Sequence, residues 1–130
     1  MGAVAMLMNI SSAIGALQHC RANNIYTGKP DLVQTAFDRM SALMSPLVDL
    51  PAGDKGKKLA EATFMTYAAS GRAGVLVTFS PIPGDSEKLK TVTVEIKGET
   101  VCKAAEKFLA TQMEKGKTLG FEPKKQVGDL

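Results

Sequence analysis

At Gly74 the spacing of apolar residues changes, and this limits the fold more than any other feature of the chain. Before it, apolar side chains recur at steps of three and four, the period of a helix face. After it, residues 74–79 form a continuous Val-rich run, and residues 89–97 alternate strictly. From Gly98 the helical period returns. A chain that reads helices, then a strand pair, then a helix is α+β rather than all-helical or a wound parallel sheet.

The helical part divides at its breakers. Residues 3–23 read as a first helix with Leu7, Ile10, Ile14, Leu17 and Cys20 on one face, stopped by Asn23-Asn24 and Thr27-Gly28. Pro30 and Asp31 suit the first turn of a second helix, which Pro46 ends. Asp54 is placed to cap a third helix over about 57–70, with Gly71 just past its end. Between the strands, "SPIPGDSEK" holds two prolines and reads as a loop too long for a tight hairpin. The last helix covers about 99–115, Gly116 terminates it, and 117–130 read as an irregular tail. Two strands alone bury little, so the pair must lie against the helices. The expected architecture is α+β: a four-helix cluster packed with a small two-stranded antiparallel sheet between the third and last helices. It forms one domain over 1–130 with an ordered core of about 3–116.

Composition narrows the function. At 130 residues, 45% hydrophobic and 22% charged, the chain suits one globular domain. Aromatics are 5% with no Trp, which argues against base or sugar stacking. A net charge of +3 is too small for an electrostatic nucleic-acid binder, so no nucleic-acid partner is expected. No apolar run is long enough to span a bilayer, and no transmembrane segment is expected. A signal peptide is not visible either, so an exported form would correspond to the mature chain.

Chemistry is sparse. His19 and Cys20 are neighbours, but successive helix residues point about 100° apart, so ring and thiol do not converge. One His and two Cys with no C-x-x-C fall short of a zinc site, and no metal or cofactor is expected. No Gly-x-Ser-x-Gly appears and the carboxylates are scattered, so no catalytic residue is assigned. An anion contact is the alternative: "SGRAG" offers Arg72 between helix and strand, and "GDKGKK" offers Lys55, Lys57 and Lys58. In that reading a ligand or substrate site gathers near Arg72, Tyr67 and His19. The near-neutral first helix, with "AVAMLM" at its tip, suggests instead an apolar surface at Met6, Leu7 and Ile10 for another protein or a second copy.

The two cysteines leave two readings open. Cys20 lies near the end of the first helix and Cys102 in the first turn of the last, both bordering apolar faces. They form a bridge if their Cα atoms come within about 7 Å, or remain two buried, reduced thiols. Here a resemblance adds to the residues. "AIGALQHCRANN" resembles the "AxGxLQxCxxNN" segment of the YjjA-like small exported proteins of Gram-negative bacteria. "DLVQTAFDRM" is similar to the helix that follows it there, and "VCKAAEKFL" to the C-terminal helix opened by the family's second cysteine. The resemblance implies export to the periplasm or medium and a Cys20–Cys102 disulfide, and it carries no activity. The expected function is a non-enzymatic exported protein, stabilised by its disulfide, that acts by binding another protein.

Overall fold

The computed structural model describes residues 3–29, 31–36, 38 and 54–118. In chain order it contains α1 (Ala3–Ala22), a helical stretch over 31–36, α2 (Asp54–Arg72), β1 (Val75–Ile82), β2 (Asp85–Glu95) and α3 (Glu99–Thr118). The fold is α+β, with helices and a two-stranded antiparallel sheet. The remainder of the expected second helix, from 39 to Pro46, and the tail from 119 lie outside the described residues.

α1 is the axis of the molecule. Leu7, Ile10, Ile14, Leu17 and Cys20 are buried as their spacing requires. So are Asn9, Ser11, Ser12, Ala13 and Ala16 on the remaining faces. A helix with so little charge can be covered all round, and α1 packs against α2, α3 and β1. Each large aliphatic chain so buried contributes about 1.5–3 kcal/mol. α1 ends in a Schellman turn: Asn24 takes the left-handed conformation at φ 56°, Ile25 N–H donates to Cys20 O at 2.8 Å, and Asn24 N–H donates to Arg21 O at 3.2 Å.

The α1–α2 contact explains a glycine whose role the sequence conceals. Gly71 does not stop α2. It lies inside the helix, buried, where a Cβ would strike Ala16 N, Ser12 O and Gly15 C. A Cβ on Gly15 would likewise run into the backbone of Ala68. The two helices therefore meet backbone to backbone, a distance that only glycine permits. α2 also starts earlier than expected, with Asp54 itself in the first turn, where its charge favours the helix dipole. The chain turns at Ala73-Gly74, and Gly74 has φ 94°.

The hairpin is longer and tighter than its prolines suggest. β1 continues through Ser80, Pro81 and Ile82, and β2 begins at Asp85. Only Pro83 and Gly84 separate the strands, with Gly84 at φ 83°. Proline then glycine at the two central positions suits a type II turn. The register pairs Leu76 with Val94 and Thr78 with Val92, with an irregularity between Pro81 and Ile82. Of the alternating apolar row, Ile96 is core at 6% exposure, whereas Val92 and Val94 stand 39% and 37% exposed. β1 meets α1 and α2 from Val75 to Phe79, and Ile96, just past β2, enters the core. α3 runs through Gly116 to Thr118, one turn's fraction past its expected end, and sends Cys102, Ala105, Leu109 and Met113 into the core.

Candidate functional site

Four features lie around the α1 axis. The first is covalent: Cys20 and Cys102 form a disulfide with Cα atoms 6.2 Å apart, and both residues are fully buried. It joins the last turn of α1 to the first turn of α3 and leaves no free cysteine. This decides between the two readings left open by cysteine placement alone.

The second is the junction where α1 and α2 both end. His19 points away from its neighbouring cysteine, and its Nδ1 lies 3.0 Å from the carbonyl oxygen of Arg72. A carbonyl only accepts, so this contact is a hydrogen bond in the tautomer protonated at Nδ1, whereas Asn23 Nδ2, 3.2 Å from the same nitrogen, is served by the other tautomer. Asn23 lies beside the ring and donates from Nδ2 to His19 O at 2.9 Å. The imidazole covers the Cα of Gly74, where a Cβ would come within 3.1 Å of Cε1. The Arg72 guanidinium reaches Gln18 Oε1 at 3.3 Å. The histidine thus ties the end of α2 and the turn before β1 to α1.

The third is a clasp across the mouth of the core. Glu106 on α3 accepts from Tyr26 Oη through Oε1 at 2.8 Å and from Lys29 N–H through Oε2 at 2.8 Å. Gly28, at φ 60°, brings its Cα close beneath that carboxylate. The hydrogen bond to Glu106 raises the Tyr26 pKa above the ordinary tyrosine value, with desolvation and the charges of Glu106 and Glu99 adding to it.

The fourth is the hairpin. Tyr67 of α2 meets Phe79 of β1 edge to face, with centroids 5.5 Å apart. Asn9 inside α1 clasps the same strand: its Nδ2 donates to Phe79 O at 2.8 Å, and its Oδ1 accepts from Phe79 N–H at 2.7 Å. Ser12 Oγ accepts from Val77 N–H at 2.8 Å.

These positions correct several sequence expectations. Leu7 and Ile10 are 3% and 1% exposed, and Met6 is partly buried against the core. They do not form an outward apolar surface, because a helix this poor in charge is used as core. The proposed grouping of Arg72, Tyr67 and His19 divides. Arg72 and His19 meet at the junction, while Tyr67 serves the strand. Lys55, Lys57 and Lys58 begin α2 and Arg72 ends it, about 21–25 Å apart at 1.5 Å per residue, so the two candidate anion contacts are separate places on the molecule. The exposed large apolar residues among those described are Leu59, Met65, Ile82, Val92 and Val94, three of them on the hairpin.

Among the described residues no group of three or more His, Cys, Asp or Glu is placed to hold a metal ion. No helix among them is long and apolar enough to cross a membrane. Comparison with family models, curated proteins and solved structures found no match to this chain.

Proposed function

We propose that this chain is an extracytoplasmic module, held by one disulfide, that acts by binding another protein and catalyses no reaction. The observation that carries the reading is the buried Cys20–Cys102 bridge. Disulfides of this structural kind persist in oxidising compartments and are rare where glutathione keeps thiols reduced. The resemblance of residues 13–24 and of the helix around Cys102 to the YjjA-like exported proteins supports the same compartment. The binding role is supported by where the polar chemistry goes. His19, Arg72, Glu106 and Asn9 each hold backbone or side chains of the protein itself, while the hairpin presents apolar side chains outward.

The test is intact mass after alkylation, with and without reductant, on protein taken from cells in the presence of a thiol-blocking reagent. Two thiols that label only after reduction, on a monomeric mass, are expected. Two that label freely in cell extracts would overturn the extracytoplasmic reading.

A further inference from the structure

The two strands of the hairpin differ in what meets their outer edges. Ile96 N–H donates to Gly74 O at 2.8 Å. The register then makes 76/94, 78/92 and 80/90 the pairs that exchange hydrogen bonds across the hairpin. Odd-numbered residues turn their N–H and C=O groups outward. On β1 that outward row is occupied: Ser70 Oγ donates to Val75 O at 3.2 Å, Ser12 takes Val77 N–H, and Asn9 takes both groups of Phe79. On β2 the outward row is Thr91, Thr93 and Glu95, and among the described residues the sheet ends there.

We propose that this edge of β2 pairs antiparallel with β2 of a second copy, across a twofold axis at Val92, to give a four-stranded sheet. The proposal rests on the binding half of the reading above and names the partner. Its basis is the self-complementarity of residues 89–95, Leu-Lys-Thr-Val-Thr-Val-Glu. An axis at Val92 sets Val92 beside its own copy, Thr91 against Thr93, Lys90 against Val94 and Leu89 against Glu95. All seven residues are paired and no like charges stand opposite each other, which cross-strand pairing requires. The centre, 91–94, holds no charge to guard the edge. Pairing covers the exposed Val92 and Val94, and a closed isologous contact is the usual form for two identical chains. An edge of seven residues is small beside a standard interface, so the dimer is weak and depends on concentration.

The experiment is sedimentation equilibrium of the full chain with its disulfide intact, together with two variants. T93P removes a central outward N–H, and proline is tolerated at that position of an edge strand. V92C places a thiol at the twofold, in a pair whose Cα separation is about 4.5 Å, within reach of a disulfide. K107C, on the exposed side of α3, is the control. The wild-type mass is expected to rise toward twice the monomer with concentration, and T93P to weaken association at least about tenfold. V92C is expected to cross-link at least about tenfold faster than K107C. A monomer up to about 1 mM overturns the proposal. So does V92C cross-linking no faster than K107C, a result that does not depend on how well T93P folds. A monomer with its bridge intact leaves the binding-module reading with some other partner. Freely labelled thiols in cells overturn the compartment and leave the mass result standing.

Discussion

The helical half of this molecule and its hairpin use polar groups in opposite ways. Along α1 from Asn9 to Ser12 the polar residues are internal and each closes a specific gap: Asn9 and Ser12 complete the edge of β1, and Ser11 Oγ donates to Leu7 O within the helix. Along β2 the polar groups are external and the apolar ones only half covered. Buried polar groups raise the penalty for error, because an orphaned partner loses its hydrogen bond with no water to replace it. The helical half is therefore the part that fixes the structure. The outer hairpin is the part that, among the described residues, leaves apolar side chains exposed.

That contrast breaks first at the disulfide. The bridge spans 82 residues, and in the chain-entropy account its loss destabilises by about 4–5 kcal/mol. Reduced wild type and C102S are expected to melt at the same temperature, both well below the oxidised protein. Equal melting of oxidised and reduced protein would remove the bridge from the account of stability.

Next is the backbone contact between α1 and α2. G15A adds a single methyl where Ala68 backbone stands, and rigid backbone yields less than a side-chain end. A loss of about 3 kcal/mol is expected from this overpacking, measured by chemical denaturation with the disulfide intact. V94A on the hairpin removes more atoms and is expected to lose about 1 kcal/mol or less, because the side chain is partly solvated. If the two variants lose similar amounts, the distinction between a determining half and an exposed hairpin fails.

How far the sequence disclosed this structure follows the same division. Periodicity located α1, α3 and the two strands because an amphipathic face or an alternating row is visible in one dimension. It did not show that α1 is covered on every side, since Asn9, Ser11 and Ser12 look like interruptions until β1 lies beside them. Gly71 read as a helix stop because a glycine made for close packing and one made for a turn are the same letter. Pro81 and Pro83 read as loop because proline is tolerated on a strand only where its N–H faces away from the partner strand, as at Pro81, or within the turn itself, as at Pro83. Arg72 and His19 were named together and do meet, but through a backbone carbonyl that no side-chain pattern announces. The outer edge of β2, where the sheet ends among the described residues, was legible only in part. The Thr-Val alternation is in the sequence, whereas the closure of the opposite edge is a fact of three dimensions.

The role given to Asn9 can be separated from mere burial. N9L keeps the heavy-atom count and branching and removes both groups that serve Phe79, leaving one backbone donor and one acceptor of β1 without that side chain. The expected loss is about 2 kcal/mol. Hydrogen exchange at the Phe79 amide should rise by more than the global loss of stability accounts for. Exchange at Phe79 that merely follows the global change would mean that the clasp does not hold the strand locally.

The smallest expected effect concerns Tyr26, whose phenol is held neutral by Glu106. Its folded pKa is raised above 10.0 by that hydrogen bond first, then by desolvation and neighbouring carboxylates. A raised folded value means that the unfolded chain releases this proton at lower pH than the folded one does. The stabilisation is then complete below the ordinary tyrosine range and is lost as pH climbs through the folded value. Melting measured from neutral pH to above pH 10 should therefore fall at the alkaline end, more steeply in the wild type than in Y26F. Y26F keeps the ring and lacks the titrating proton, so parallel curves for the two proteins would show that the Tyr26–Glu106 contact is not coupled to folding.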